Sequence, residues 1–115
     1  YELVGDWIGG AFGYSLSLNE DGTVLAVGDR RAGDQKEGGV ITYQFRNDKW
    51  HKHGERLSGA GNDQGGFQVA LNAKGDVLAW TARGYDEEVG DTDVGIVRVA
   101  QYVYGEWIQV GNDIA

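Results

Sequence analysis

LNEDGTVLAVG, residues 18–28, recurs as LNAKGDVLAWT at residues 71–81. Leu18, Asn19 and Gly22 return as Leu71, Asn72 and Gly75, and a Val-Leu-Ala run follows the glycine in both copies. A catalytic site is seldom duplicated within so short a chain, whereas a structural unit often is. The stretch therefore predicts a repeat architecture.

The similarity extends well beyond the quoted stretch. Residues 13–30 align with residues 66–83, and residues 38–57 align with residues 95–114, with one intervening loop four residues longer in the second copy. The second block pairs Trp50 with Trp107 and Gly54 with Gly111. Because the register holds across two separate blocks, we infer a duplicated unit.

Each unit reads as four β-strands. The first alternates apolar and polar residues, as in Tyr14, Ser15, Leu16, Ser17 and Leu18, which is the period of a half-buried strand. The second is apolar on both faces, the third is rich in β-branched and aromatic residues, and the fourth carries Trp50 or Trp107. The strands are predicted at residues 14–18, 23–28 and 39–45 of the first unit and 67–71, 76–81 and 96–102 of the second, joined by the tight turns NEDG, NAKG, RNDK and VYGE.

The N-terminal residues repeat the fourth-strand pattern a third time, since YELVGDWI aligns with WHKHGERL and WIQVGNDI. A unit of four antiparallel strands at this repeat length is typical of a β-propeller blade. The predicted fold is all-β: two four-stranded antiparallel propeller blades plus one extra outer strand. The predicted divisions are 1–8 (outer strand of a preceding blade), 9–57 (first blade) and 58–115 (second blade).

Two blades are too few for a closed propeller, which needs roughly four to eight. An open pair would expose blade faces and a strand edge. We therefore expect closure by further copies of the chain or by further blades of a longer propeller. The chain begins at Tyr1, and we expect it to be a processed product or a segment.

The pattern FGYSLSLNEDGTVLAVG followed by GGVITYQFRNDKW resembles FG-GAP-like repeats of integrin-α-type β-propellers, and more closely the related repeats of large secreted or surface proteins of bacteria and algae. The resemblance implies an extracellular or cell-surface location and a role in protein binding or adhesion. Two departures stand out. The GAP element reads GDR at residues 28–30 and TAR at residues 81–83, and the calcium loop of integrin-type repeats is reduced to NEDG and NAKG. Too few oxygen ligands remain there for calcium.

Composition excludes several classes of function. The net charge is −8, which argues against nucleic acid or anionic membrane surfaces as partners. The chain has no cysteine, and no apolar run reaches the roughly 20 residues of a membrane span. It carries no nucleophile elbow, P-loop or His-Glu-x-x-His motif. We therefore predict that the protein is not an enzyme and has no tightly bound cofactor.

Unequal loops on one face of a rigid scaffold are where binding usually resides. In a propeller, the loops between the second and third strands and those between blades emerge on the same face, and here they are the long ones. The candidate binding residues on this long-loop face, together with an exposed aromatic in the N-terminal strand, are Trp7, Arg30, Arg31, Asp63, Arg83 and Tyr85. Arg30 and Arg83 are repeat-equivalent, so a structural ion pair is an alternative interpretation for them.

Other polar clusters have competing interpretations. The acidic loop YDEEVGDTDVG offers weak calcium ligands in Asp86, Glu87, Asp91 and Asp93, but its spacing matches no known calcium loop, which favours solvated loop charges. His51 and His53 share one strand face, yet their aligned residues Ile108 and Val110 are apolar, which favours packing over metal.

The tryptophans and one acidic pair are assigned structural roles. Trp50 and Trp107 recur at one position, and Trp80 lies on a doubly covered strand, so all three are predicted to pack. Glu20 and Asp21 align with Ala73 and Lys74, which favours a turn role over paired catalytic carboxylates.

Together these observations predict a non-enzymatic extracellular binding or assembly module whose partner is a protein or further copies of the same chain. Strand addition at a free edge is one route to assembly. The alternatives are a carbohydrate-binding, lectin-like propeller that stacks exposed aromatics such as Trp7 and Tyr85 on a glycan, and an accessory domain of a secreted hydrolase.

Overall fold

The computed structural model describes residues 2–5, 11–31, 38–58, 65–66, 68–82, 85–86, 92–93, 95–112 and 114. Every regular element within these residues is a β-strand. The strands are β1 (Phe12–Leu18), β2 (Val24–Asp29), β3 (Val40–Arg46), β4 (Lys49–Lys52), β5 (Gln68–Leu71), β6 (Val77–Ala82), β7 (Tyr85–Asp86), β8 (Thr92–Asp93), β9 (Ile96–Val103) and β10 (Glu106–Gln109).

Eight of the strands form two antiparallel four-stranded sheets. Sheet 1 has the order β1-β2-β3-β4, and sheet 2 has the order β5-β6-β9-β10. Aligned positions pair in both: Leu25 lies opposite Tyr43, and Leu78 lies opposite Ala100. The prediction of an all-β fold with two four-stranded antiparallel sheets is confirmed. Within the described residues the two sheets do not close into a ring.

The turn that follows the first strand of each sheet is built around an asparagine. Asn19 Oδ1 accepts from the backbone N–H groups of Thr23 and Val24, both at 2.9 Å, and Gly22 takes φ +75°. In sheet 2 the equivalent Gly75 takes φ +85°. Such positive φ values favour glycine, and the asparagine side chain takes over backbone bonds that the turn leaves unmade. The predicted turn role of Asp21 agrees with this geometry, because the Thr23 hydroxyl donates to Asp21 Oδ1 at 2.6 Å and lowers the pKa of that carboxyl.

The outer hairpins use turns with positive φ at both central residues. Asn47 and Asp48 have φ of +52° and +63°, and Tyr104 and Gly105 have φ of +50° and +87°. This is the pattern of a type I′ turn, whose twist matches that of the two flanking strands. The turns therefore hold β3 to β4 and β9 to β10 in register.

The hydrophobic core has two parts, separated by sheet 1. We call the side of each sheet that carries its tryptophan, Trp50 or Trp107, the front face and the opposite side the back face. The front face of sheet 2 packs on the back face of sheet 1, and the front face of sheet 1 carries the second cluster. The first cluster contains Ala26, Val40, Leu78, Trp80 and Ala100, and the second contains Val27, Ile41 and Tyr43. Trp80 is 3% exposed, so its predicted core position is confirmed.

Two features differ from the sequence expectations. Residues 2–5 form no strand, and the remainder of the predicted outer strand, residues 1 and 6–8, lies outside the described residues. A β-strand needs a neighbouring strand to bond to, and none of the described strands is hydrogen-bonded to residues 2–5. In the other direction, β7 and β8 pair as a short hairpin, Tyr85 with Asp93 and Asp86 with Thr92, within what was predicted to be a loop.

No segment of the described chain forms a helix that could cross a membrane.

Candidate interaction surface

The outer end of the contact between the sheets is held by a tryptophan that bonds across it. The Trp107 indole N–H donates to Thr42 Oγ1 at 2.8 Å and to the His53 carbonyl oxygen at 3.0 Å. The Thr42 hydroxyl donates to the same carbonyl. We call the contact formed by Thr42, His53, Tyr102 and Trp107 the inter-sheet seam.

Aromatic packing reinforces the seam. The His53 ring stacks on Tyr102 with centroids 3.9 Å apart and an interplanar angle of 15°, and Tyr102 meets Trp107 edge to face at 5.2 Å. Burial lowers the pKa of His53, and the positive charge of Arg46 lowers it further. Both effects favour the neutral imidazole over the charged one, and the stacked ring agrees with the packing interpretation of this histidine.

The seam also requires a glycine. Gly54 has φ +86°, and a Cβ at this position would lie 2.9 Å from Trp107 Cδ1 and 3.2 Å from Tyr102 Cε1. Its aligned residue, Gly111, has φ +74°, but a Cβ there would meet no atom within 4 Å among the described residues. Both glycines share the backbone requirement, and only Gly54 also meets a neighbouring sheet.

At the inner end, serines on the back face of sheet 1 bond to sheet 2. Ser15 Oγ donates to the Gly66 carbonyl at 2.8 Å, and Ser17 Oγ accepts from the Leu71 N–H at 3.0 Å. The approach is close, because a Cβ on Gly28 would overlap the Gly66 carbonyl oxygen. The two sheets are thus bonded to each other at both ends of their shared face.

The front face of sheet 1 has the aromatic geometry of the seam. Phe45 and Trp50 meet edge to face at 5.1 Å and 64°, compared with 5.2 Å and 67° for the aligned pair Tyr102 and Trp107. Within the part of the chain that the structure describes, no residue accepts a hydrogen bond from the Trp50 indole N–H. Sheet 1 therefore presents the same pair of rings without the seam bonds that Trp107 makes.

An apolar groove of about 440 Å³ runs along this face. Leu16 and Leu18 are 63% and 56% exposed, whereas the aligned Val69 and Leu71 pack into the first core cluster. We call this surface the front groove; its lining residues are Leu3, Phe12, Gly13, Leu16, Leu18, Leu25, Val27 and Trp50. Its lining is mostly apolar and contiguous, and exposed apolar grooves are typical of interaction sites.

The back face of sheet 2 is the second apolar surface. Ile108, Val110 and Ile114 are 49%, 53% and 58% exposed. They align with His51, His53 and Leu57, of which His53 and Leu57 pack against sheet 2. The described structure therefore leaves the back face of sheet 2 and the β1 side of the front face of sheet 1 exposed, while Val27, Ile41 and Tyr43 at the centre of that front face are buried.

A further groove of about 680 Å³ lies beside the inner strands β1 and β5. Tyr14, Ser15 and Gln68 give it polar groups, and Trp80 and Val97 contribute to its apolar part. The Arg30 guanidinium carbon lies 4.6 Å from the centroid of the Tyr14 ring, a cation–π contact. This places Arg30, a predicted binding residue, against the inner strand.

The other predicted residues of the long-loop face are only partly described. Arg31 is exposed and follows β2, and Tyr85 lies in β7. Trp7, Asp63 and Arg83 lie outside the described residues. The described residues therefore bring together Arg30 and Tyr14, and the arrangement of the remaining predicted set stays a prediction.

The predicted calcium ligands divide in the same way. Asp86 and Asp93 lie on the paired strands β7 and β8, and Glu87 and Asp91 lie outside the described residues. Among the residues that are described, no three His, Asp or Glu side chains gather as a metal site would require.

The front groove is the feature that sequence reasoning missed. The signal was present in the repeat itself, because Leu16 and Leu18 align with Val69 and Leu71, which are partly buried between the sheets. Both strands have the sequence pattern of an ordinary half-buried strand. Only the way the two sheets pack reveals that no sheet covers Leu16 and Leu18. No protein-family model matches the sequence, and no curated protein matches it significantly.

Proposed function

We propose that the chain is a non-enzymatic, extracellular or cell-surface binding and assembly module built from FG-GAP-like β-propeller repeats. The observation that carries the proposal is the exposed front groove, which has the apolar residues and ring geometry of the face that sheet 2 buries against sheet 1. A surface of this kind gains free energy when a partner covers it.

The two-sheet unit supplies a rigid support for such contacts. Hydrogen bonds at both ends of the shared face fix the sheets to each other, so the front groove and the opposite back face are held at a constant separation. Arg30, Arg31 and Tyr85 would extend the binding region onto the long-loop face. The proposal assigns no catalytic residue, because the sequence carries no recognisable nucleophile or acid–base motif.

Carbohydrate binding is a second candidate, favoured by the groove beside β1 and β5. Glycan sites combine apolar or aromatic surface with a few directed polar groups, and Tyr14, Ser15 and Gln68 provide them here. A glycan array probed with the wild type and with Tyr14→Ala tests this candidate. Signal that the variant loses supports it, and an array without signal excludes it.

The main proposal is tested by substituting the front groove. Leu16→Glu places a carboxylate in the groove at a largely exposed position, and Tyr104→Asp is a matched control because Tyr104 is 101% exposed at the tip of a turn. Both proteins are compared with wild type for self-association and for binding to intact cells of the source organism. Association that falls with Leu16→Glu and persists with Tyr104→Asp supports the proposal. Association that Leu16→Glu leaves unchanged contradicts the proposal. Absence of both self-association and binding to cells in wild type also contradicts it.

A further inference from the structure

We propose that a second copy of this chain occupies the front groove. The second copy docks the back face of its sheet 2 there, head to tail, and the contact repeats the inter-sheet seam. The inference rests on the proposed assembly function and names its partner. It makes the internal contact between the sheets the template for the contact between copies.

The front groove already has the form of the surface that sheet 2 buries. Leu16, Leu18 and Trp50 occupy the positions of Val69, Leu71 and Trp107, all of which pack against the first core cluster. The rings of Phe45 and Trp50 are preset at the angle and distance of their aligned pair. Preset side chains lose less conformational entropy on docking, which favours association.

The back face of sheet 2 has the complementary pattern, with its polar groups replaced by apolar ones. Thr42 and His53 of the seam align with Val99 and Val110. A copy docked in the same manner would place its Trp50 indole N–H at the Val110 carbonyl, the position of the His53 carbonyl in the seam. Apolar packing would then take the place of the hydroxyl bond of the seam.

The front faces differ in the same direction. Arg98 on the front face of sheet 2 aligns with Ile41, which is 3% exposed within the second core cluster. Both faces of the proposed contact are thus more apolar than their counterparts in the seam. Apolar burial is the dominant favourable term in association, and the surface available for it lies at Leu16, Leu18, Ile108 and Val110, since Ile41 is already buried.

The described N-terminal residues cover only part of the front face of sheet 1, since Leu16 and Leu18 stay 63% and 56% exposed. Leu3 packs against the second core cluster, but Val4 is 76% exposed and residues 2–5 form no strand. A strand-forming neighbour would bring a whole sheet to the position where this segment makes a partial contact.

A head-to-tail contact is heterologous, meaning that each copy uses two different surfaces. Loss of the front groove in one copy leaves its back face intact, and loss of the back face leaves its front groove intact. Two variants that are each unable to self-associate should therefore pair with each other once. An isologous contact through the front grooves alone cannot behave in this way.

Sedimentation velocity over a concentration series tests this with wild type, Leu16→Glu, Val110→Glu and their mixture. Both substitutions are at positions more than half exposed, and circular dichroism confirms that each variant is folded. We expect concentration-dependent association of wild type, monomers of each variant alone, and a 1:1 dimer in the mixture with nothing larger. Leu18→Glu and Ile114→Glu provide a second front and back pair, and Tyr104→Asp should associate as wild type does.

Three results overturn the inference: wild type that stays monomeric throughout, Val110→Glu that associates as well as wild type, or a mixture that remains monomeric. If wild type is monomeric and Leu16→Glu still abolishes its binding to cells, the result overturns only the claim that a second copy occupies the front groove. Loss of every form of binding, in contrast, would overturn the proposed function itself.

Discussion

Trp107→Phe isolates the polar part of the inter-sheet seam. The substitution keeps an aromatic ring against Tyr102 and His53 and removes the indole N–H, which lies 2.8 Å from Thr42 Oγ1 and 3.0 Å from the His53 carbonyl oxygen. Because the Thr42 hydroxyl still donates to that carbonyl, the carbonyl keeps a donor and only Thr42 Oγ1 loses one. The cost is therefore that of a shared hydrogen bond plus a small loss of apolar packing.

A net hydrogen bond contributes about 0.5–1.5 kcal/mol, so we expect Trp107→Phe to lower the free energy of unfolding by about 1–2 kcal/mol. The matched control is Trp50→Phe at the aligned position, where no described residue accepts from the indole N–H. Removal of a donor that has no acceptor among the described residues should cost less than about 0.5 kcal/mol.

Urea unfolding followed by far-ultraviolet circular dichroism measures both variants without depending on tryptophan fluorescence. The protein is kept dilute so that association does not contribute to stability. A double-mutant cycle with Thr42→Val should give a coupling energy of about 0.5 kcal/mol or more. Equal losses for Trp50→Phe and Trp107→Phe, or zero coupling to Thr42, would refute the reasoning.

Three further predictions concern the turns and the seam. Gly54→Ala should lower the free energy of unfolding in urea by about 1–3 kcal/mol more than Gly111→Ala. Both substitutions strain a positive φ, but only the one at Gly54 would push a Cβ into the neighbouring sheet. Equal losses would contradict this. The folded state lowers the pKa of His53 below 6.5, so the free energy of unfolding should be full above that pH and fall as the pH drops through the lowered value. Thermal melts from pH 7.5 to 5.5 should detect this loss. His53→Phe should abolish it. Asn19→Ala should destabilise the chain more than Asn72→Ala, by about 1 kcal/mol in the same unfolding assay. Asn72 Oδ1 accepts from three backbone N–H groups and Asn19 Oδ1 from two, but Asn72 is exposed, so water can replace it, whereas Asn19 is 7% exposed. The reverse order would contradict the assignment.

The sequence carried enough information to predict the two sheets. Alternation at Tyr14, Leu16 and Leu18, a doubly apolar second strand and the turn glycines Gly22 and Gly75 each specify local structure through short-range rules. Those rules act within a strand or a turn, so the strands and the antiparallel order follow from them.

The contact between the sheets could not be predicted in the same way. Leu16 and Val69 are equally apolar and occupy aligned positions, yet one is 63% exposed and the other packs in the core. The difference lies in which neighbour covers each face, a property of the arrangement in space and not of the residue. The β7–β8 hairpin is hidden for another reason, since its acidic residues have low strand propensity and its strands have only two residues each. The roles of Trp7, Asp63 and Arg83 remain predictions.

The central claim is that the front groove and the back face of sheet 2 are two halves of one repeated contact, and disulfide trapping tests it most directly. The chain has no native cysteine, so an engineered pair reports without background. In the internal contact, Ser17 Oγ lies 3.0 Å from the Leu71 N–H, and the aligned pair between copies is Ala70 with Leu18.

Ser17→Cys with Leu71→Cys is the internal control and should close within one chain under mild oxidation. Leu18→Cys with Ala70→Cys should instead link successive copies into a reducible ladder on a denaturing gel, with Leu18-to-Ala70 crosslinks identified by mass spectrometry. A monomer band alone, or dimers joined through two Leu18 positions, would contradict the account.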